Sequence, residues 1–164
     1  MGEGRLAAGY ELGRDDGEAI WLQGGLCLIK ASGEQTGGQF ALCEQVMPRG
    51  MSTPIHIQPE EDEVFYVLDG QMTFYLDGQL IPGEQGSLVC IPRGGAHGFR
   101  VESETARFLV LNTPAGHEGW FRAAGETARS LTLPSEPHDE EKAAAASRAF
   151  GYGYVGPFPG TGEA

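Results

Sequence analysis

The sequence predicts an all-β domain, an antiparallel sandwich or small barrel, closed by a short C-terminal helix. Three observations predict it. The chain of 164 residues carries 26 glycines and 10 prolines, yet 40% of its residues are apolar. Such a chain is rich in turns but too apolar to be disordered. Between residues 20 and 113, runs of β-branched and aromatic residues recur roughly every 8 to 12 positions, each broken by Gly, Pro or Asp-Gly. No longer self-similarity is present, which excludes solenoids and propellers. One domain of this length can bury a core without disulfide or metal staples.

The elements follow in order. Residues 1–18 are polar and glycine-rich and read as an arm. Strands are expected at Ile20–Ile29, Phe40–Met47, Val64–Leu68, Met72–Leu76, Leu88–Ile91 and Ala106–Asn112. Asp69-Gly70 and Asp77-Gly78 suit type I′ turns, because Asp tolerates and Gly freely takes positive φ. They predict a three-strand meander of Val64–Leu68, Gln71–Leu76 and Gln79–Ile81. Cys27, Cys43 and Cys90 lie in apolar runs with no CxxC pair and read as small buried hydrophobes. His117–Ala124 reads as a short helix carrying Trp120 and Phe121. Pro137–Phe150 reads as a helix with acids early, Arg148 late and alanines between. The tail carries Tyr152, Tyr154, Val155 and Phe158, which are expected to pack on the barrel or on a neighbouring subunit. The expected organisation is therefore an arm (1–18), a barrel (19–116) and a helical segment with its tail (117–164) forming one domain.

Charge narrows the partners. Eleven Lys and Arg against 23 Asp and Glu give a net charge of −12, which repels phosphate backbones and anionic lipid. Nucleic acid and membrane are not expected as partners. Apolar runs such as Phe108–Leu111 are far shorter than a membrane span, and the first residues lack a signal-peptide core, so a cytoplasmic location is expected.

One constellation carries chemistry. His56 and Gln58 stand two apart and share a side of a strand. Glu63 opens the next strand after the Pro59–Asp62 corner, and His97 follows the Gly94-Gly95 bend. Two imidazoles, an amide oxygen and a carboxylate converging inside a barrel suit a divalent transition metal with sites left open for substrate or dioxygen. Scattered, the same residues are ordinary polar strand positions. Phe65 and Val67 share the face of Glu63 and are candidates for the lining of a substrate pocket. Trp21, Trp120, Phe74 and Tyr75 fit either a pocket or the core. Glu60, Glu61 and Asp62 read as a solvated corner, and His117 and His138 as surface residues.

These residues stand in a recognisable frame. Gly50, His56, Gln58, Glu63 and Gly70 match the first motif of the cupins, with Gln in place of the second His. Gly86, Pro92, Gly94 and His97 match the second, with Val101 where Asn is usual. The sequence thus resembles the cupin superfamily, and EEDEVFYVLDGQMTFYLDGQ, ARFLVLNTPAGHEGWFRAAGE and GYGYVGPFPG are most similar to its quercetin dioxygenase-like bacterial monocupins. The resemblance implies a double-stranded β-helix (jelly-roll) barrel. It also implies a metal held by His56, Gln58, Glu63 and His97, with Fe, Mn, Ni, Co and Zn not distinguished. Glu63 would be both ligand and proton acceptor for a small aromatic or enolic substrate. Gln58 could ligate the metal, as in the similar cupin-fold phosphomannose isomerases, hydrogen-bond a metal-bound water, or mark a site that has lost its metal. A quercetinase-like dioxygenase is the leading expectation. A metal-dependent isomerase, cyclase or lyase, or a non-catalytic small-ligand-binding cupin, are the alternatives. The relatives also imply a homodimer that exchanges terminal segments, for which 1–18 and 151–164 are candidates.

Overall fold

The computed structural model describes residues 8–160. In chain order its elements are β1 (Glu18–Leu22), β2 (Gly25–Ala31), α1 (Gly33–Thr36), β3 (Ala41–Pro48), β4 (Ile55–Ile57), β5 (Asp62–Asp69), β6 (Gln71–Leu76) and β7 (Gln79–Glu84). They continue with β8 (Leu88–Ile91), β9 (His97–Val101), β10 (Thr105–Thr113), α2 (His117–Ala124), β11 (Glu126–Thr127), α3 (Glu140–Ala149) and β12 (Gly153–Gly156). Two antiparallel sheets face each other. One runs β11-β1-β2-β3-β10-β5-β8 and the other β12-β4-β9-β6-β7. From β3 to β10 the chain passes back and forth between the sheets, with only β6 and β7 consecutive in one of them, as in a jelly roll.

That alternation corrects the expected meander. β5 and β6 lie in different sheets, so Asp69-Gly70 is a crossing between sheets and not a hairpin turn. Gly70 has φ +88°, and a Cβ there would stand 2.5 Å from the Thr105 carbonyl oxygen. Asp77-Gly78 does close a hairpin, with φ values of 43° and 93°, joining β6 to β7. β7 runs on through Pro82, which is tolerated because the strand is the sheet edge and lacks a partner on one side. The run Ile20–Ile29 is likewise two strands. Gln23 (φ 50°) and Gly24 (φ 80°) form a tight turn, and Leu22 pairs with Gly25.

The core follows from the two-residue period. Along β10 the even positions from Ala106 to Asn112 are buried, and Phe108 is fully enclosed. Phe65, Phe74, Phe99 and Phe108 meet between the sheets, Phe99 and Phe108 edge to face at 5.3 Å, the arrangement that the ring quadrupoles favour. A second cluster forms where Trp120, Phe121 and Ala124 of α2 and Ala143 and Ala146 of α3 cover Ile20, Leu22, Cys27, Ile29 and Cys43.

Several expectations are refined. Cys27 and Cys43 are buried but Cys90 is exposed, because the alternation of β8 turns Leu88 and Cys90 outward while Val89 and Ile91 face in. α2 spans the predicted residues; α3 begins later than expected, where Asp139 accepts a hydrogen bond from the Lys142 backbone N–H. The arm ends one residue early, since Glu18 opens β1. Its described part is tied down: the Tyr10 hydroxyl donates to the Lys30 carbonyl, and the Lys30 ammonium donates to the carbonyls of Gly13, Arg14 and Asp16. The start of the arm, residues 1–7, lies outside the described residues. In the tail, β12 pairs with β4 and Phe158 is buried against the Arg100 guanidinium. Tyr154 and Val155 remain exposed at 70% and 53%, so only part of the apolar tail packs within this chain. Among the described residues no helix is long and apolar enough to cross a membrane.

Candidate functional site

Strand register brings the predicted residues together. On one sheet, His56 of β4 lies opposite His97 of β9, with ring centroids 4.3 Å apart. On the other, Glu63 of β5 lies opposite Asn112 of β10. The two pairs meet inside the barrel, where His97 Nε2 donates to Glu63 Oε2 at 3.0 Å and Asn112 Nδ2 donates to Glu63 Oε1 at 3.0 Å. Gln58, just past β4, is buried; its Nε2 lies 3.4 Å from Glu63 Oε1. Gly94, at φ +82°, donates its N–H to the Gln58 carbonyl, so the Gly-Gly bend that presents His97 also anchors Gln58.

Sequence reasoning missed three contributors. His117 is not a surface residue. It is buried at 5% exposure, with Nε2 3.7 Å from Glu63 Oε1 and Nδ1 2.7 Å from the Tyr152 hydroxyl. Its ring stacks on Trp120 and meets Phe121 edge-on. Glu118 secures this helix start by accepting the N–H groups of Gly33 and Gly116. Asn112, apolar-run companion of Phe108 and Val110, orients the carboxylate. Glu61 is not part of a solvated corner either: it is buried, its Oε2 has no hydrogen-bond partner, and it lies beside Tyr152.

The electrostatics separate the groups. Burial pushes the Glu63 carboxyl up, but the His97 hydrogen bond and the His117, His97 and His56 imidazoles outweigh it and bring it down to about 2. Burial opposes charge on His97 as well, yet the bond to Glu63 leaves its pKa raised. His56 is lowered to about 4 by burial and by the neighbouring His97, and burial lowers His117. Burial and the nearby carboxylates raise Glu61. The floor therefore holds one ionised carboxylate paired with His97, flanked by two neutral imidazoles.

Above it opens a cavity of about 600 Å³. Leu22, Phe65, Phe99, Val110, Trp120 and Phe121 contribute its apolar wall, His56, Gln58, Glu63 and His117 its polar floor, and His138 and Arg148 lie at the C-terminal side. Phe65 is thus on the wall. Val67, on the same strand face, is fully enclosed in the core between the sheets and does not reach the cavity. His97 touches Glu63 without lining the cavity.

The donors suit a divalent transition metal. Nδ1 of His56 donates to the Pro54 carbonyl and Nδ1 of His97 to the Gly95 carbonyl, which fixes both rings and keeps Nε2 clear of the backbone, the support usual for a metal-bound imidazole. Gln58 Oε1 is buried without a hydrogen-bond partner, an acceptor with nothing to accept from. Among the described residues no three His, Cys, Asp or Glu side chains are drawn into a closed cluster; His97 and Glu63 are instead bonded to each other.

Comparison with known proteins places this geometry. The cupin domain family matches residues 43–112, which span both motifs. Quercetin 2,3-dioxygenase of Bacillus subtilis is 30% identical over 131 residues, 80% of this chain but 39% of that protein. The acetate kinase EutQ of Clostridioides difficile is 37% identical over 54 residues, 33% of this chain and 34% of that one. The chain thus spans under two fifths of the length of these two curated relatives. Among solved structures, the polyketide cyclase RemF of Streptomyces resistomycificus superposes with a TM-score of 0.56 at 25% identity, covering 79% of this chain and 90% of that one. An RmlC-like cupin from Shewanella frigidimarina gives 0.58 at 15% identity, covering 69% and 96%, a likeness of fold alone. With both motifs seated in a jelly roll and their polar residues meeting inside it, residues 43–112 form a cupin domain.

Proposed function

We propose that this protein is a metal-dependent enzyme acting on a small aromatic or enolic molecule, with quercetinase-like dioxygenation as its leading reaction. One observation carries the reading: an ionised, buried carboxylate, Glu63, lies at the floor of an aromatic-walled cavity and is ringed by imidazoles. His56, Gln58, Glu63 and His97 would hold the metal, which would polarise a substrate oxygen and offer open positions to substrate or dioxygen.

The chain's own part is proton transfer and positioning. Glu63 lines the cavity and can accept a proton from a substrate hydroxyl. Burial strengthens it as a base, while the His97 hydrogen bond and the surrounding imidazoles weaken it. Asn112 keeps the carboxylate oriented, and Phe65, Phe99 and Trp120 offer flat apolar surface to a planar ring while excluding water.

A non-oxidative reading has its own support. RemF is matched over nine tenths of its length, whereas the dioxygenase is matched over 39%. In that case Glu63 moves a proton and dioxygen takes no part. Elemental analysis of protein purified without a histidine tag, with oxygen-electrode assays on flavonols, decides. Near-stoichiometric metal with oxygen uptake that matches flavonol loss supports the first reading. Metal with anaerobic turnover of enolisable polyketones supports the second. Less than about a tenth of an equivalent of transition metal after anaerobic reconstitution overturns both.

A further inference from the structure

We propose that His117, oriented by the Tyr152 hydroxyl, supplies the imidazole that the first motif lacks at Gln58, so that the metal donor set is drawn from the C-terminal segment as well as the barrel. The assignment rests on the metal reading above and concerns residues that neither motif contains.

Two imidazoles, those of His97 and His117, contact Glu63, and the His56 ring lies against that of His97; each of the three has its Nδ1 engaged by an oxygen. For His56 and His97 the oxygens are the carbonyls of Pro54 and Gly95. For His117 it is the Tyr152 hydroxyl at 2.7 Å. In His97 and His117 the nitrogen that faces Glu63 is Nε2. Metal–ligand bonds of about 2.0–2.2 Å place two donors on one ion roughly 3–4 Å apart. His97 Nε2 stands 3.0 Å from Glu63 Oε2, and His117 Nε2 stands 3.7 Å from Glu63 Oε1. The two imidazoles therefore flank the two oxygens of one carboxylate, and an ion that displaced the His97–Glu63 proton would meet both. Gln58 joins the same group: its Nε2 lies 3.4 and 3.5 Å from the two ring nitrogens of His117, and its Oε1 is the orphaned acceptor.

His117 is held for this task. Trp120 stacks on it at 8° between planes and Phe121 meets it edge-on, which fixes the plane of the ring. Tyr152 fixes its rotation about that plane. With Nδ1–H donating to the Tyr152 oxygen, the hydroxyl proton is free for the buried Glu61 carboxylate beside it. Tyr152 is a positioning residue, since it reaches the site only through His117.

The test is a Co²⁺ titration of the chelator-treated full chain, followed by calorimetry and by d–d absorption. His117→Phe keeps a ring between Trp120 and Phe121 but removes both nitrogens, and Tyr152→Phe removes only the hydroxyl. Wild type is expected to bind one equivalent. Tyr152→Phe should bind roughly 10- to 100-fold more weakly, with an altered d–d spectrum, and His117→Phe more weakly still. Circular dichroism confirms that both variants fold. A His117→Phe or Tyr152→Phe variant with wild-type affinity and spectrum overturns the corresponding role while leaving the metal reading intact. A wild-type chain that takes up no Co²⁺ overturns the metal reading and this assignment with it.

Discussion

Replacing Glu63 with Gln tests whether the floor of the cavity is built around a carboxylate or merely around a polar group. Gln has the shape of the protonated acid, so the comparison isolates the charge. The carboxyl sits at about 2 against an ordinary 4.5. At roughly 1.4 kcal/mol per pH unit, the folded metal-free chain favours the carboxylate over the neutral form by about 3–4 kcal/mol more than the unfolded chain does. The sign follows from the direction of each shift. A lowered carboxyl contributes stability that is whole above 4.5 and is lost as pH falls through about 2. Its partner His97 is raised, so the same pair contributes fully below 6.5 and is lost as pH rises through the raised value. The wild-type advantage is therefore widest between pH 4.5 and 6.5 and narrows on both sides. Urea unfolding of wild type and Glu63→Gln in chelator at pH 3, 6 and 9 measures it. A gap of about 3–4 kcal/mol at pH 6 that shrinks to roughly half or less at pH 3 is expected. Equal stabilities at pH 6, or a gap unchanged by acid, would refute the claim that an ionised pair holds the two sheets together at this point.

Three further outcomes follow from the same structure. Phe108→Ala empties a fully enclosed ring position in contact with Phe65 and Phe99 and should cost about 3–5 kcal/mol in urea unfolding. Gly25→Ala places a Cβ 1.9 Å from Met47 Sδ and 2.8 Å from the Val46 carbonyl oxygen and should cost about 1–3 kcal/mol by overpacking; Gly78→Ala meets nothing within 4 Å, so any loss of thermal stability there comes from its φ of +93° alone. Added Co²⁺ or Zn²⁺ at a hundredfold excess over its dissociation constant should stabilise wild type by about 2.7 kcal/mol and raise its melting temperature, a rise that His56→Ala should lose in differential scanning fluorimetry.

The barrel could be read from the sequence because its strands are short, alternating and separated by turn residues, and because both motifs pin bends as well as side chains. What local pattern cannot decide is which sheet a strand joins. Asp69-Gly70 and Asp77-Gly78 carry the same dipeptide, yet the first crosses between sheets and the second closes a hairpin. What differs is tertiary: Gly70 lies close under the Thr105 carbonyl of β10, whereas nothing lies within 4 Å of a Cβ at Gly78. Likewise Ile20–Ile29 is apolar almost throughout, so only the small Gln23-Gly24 turn marks that it doubles back. Cys90 shows the same limit from the other side: an apolar residue on an outer strand position faces solvent because Val89 and Ile91 occupy the inner face.

The site was half visible for a related reason. His56, Glu63 and His97 stand at spacings that the strand period and the motif frame turn toward one interior from the two facing sheets, so their convergence could be anticipated from the sequence. His117 belongs to no strand, but its position did carry a signal. It is three residues before Trp120 and four before Phe121, and side chains at those separations share a helix face. A face bearing Trp and Phe must be buried, and an imidazole on it must then find polar partners inside. Glu63 and Tyr152 are those partners. Tyr152 itself could not be found this way, because it comes back to His117 only after α3 and at the entry to β12. Its place is set by how the tail folds over the barrel, which is why the Tyr152→Phe variant probes a part of the site that neither cupin motif describes.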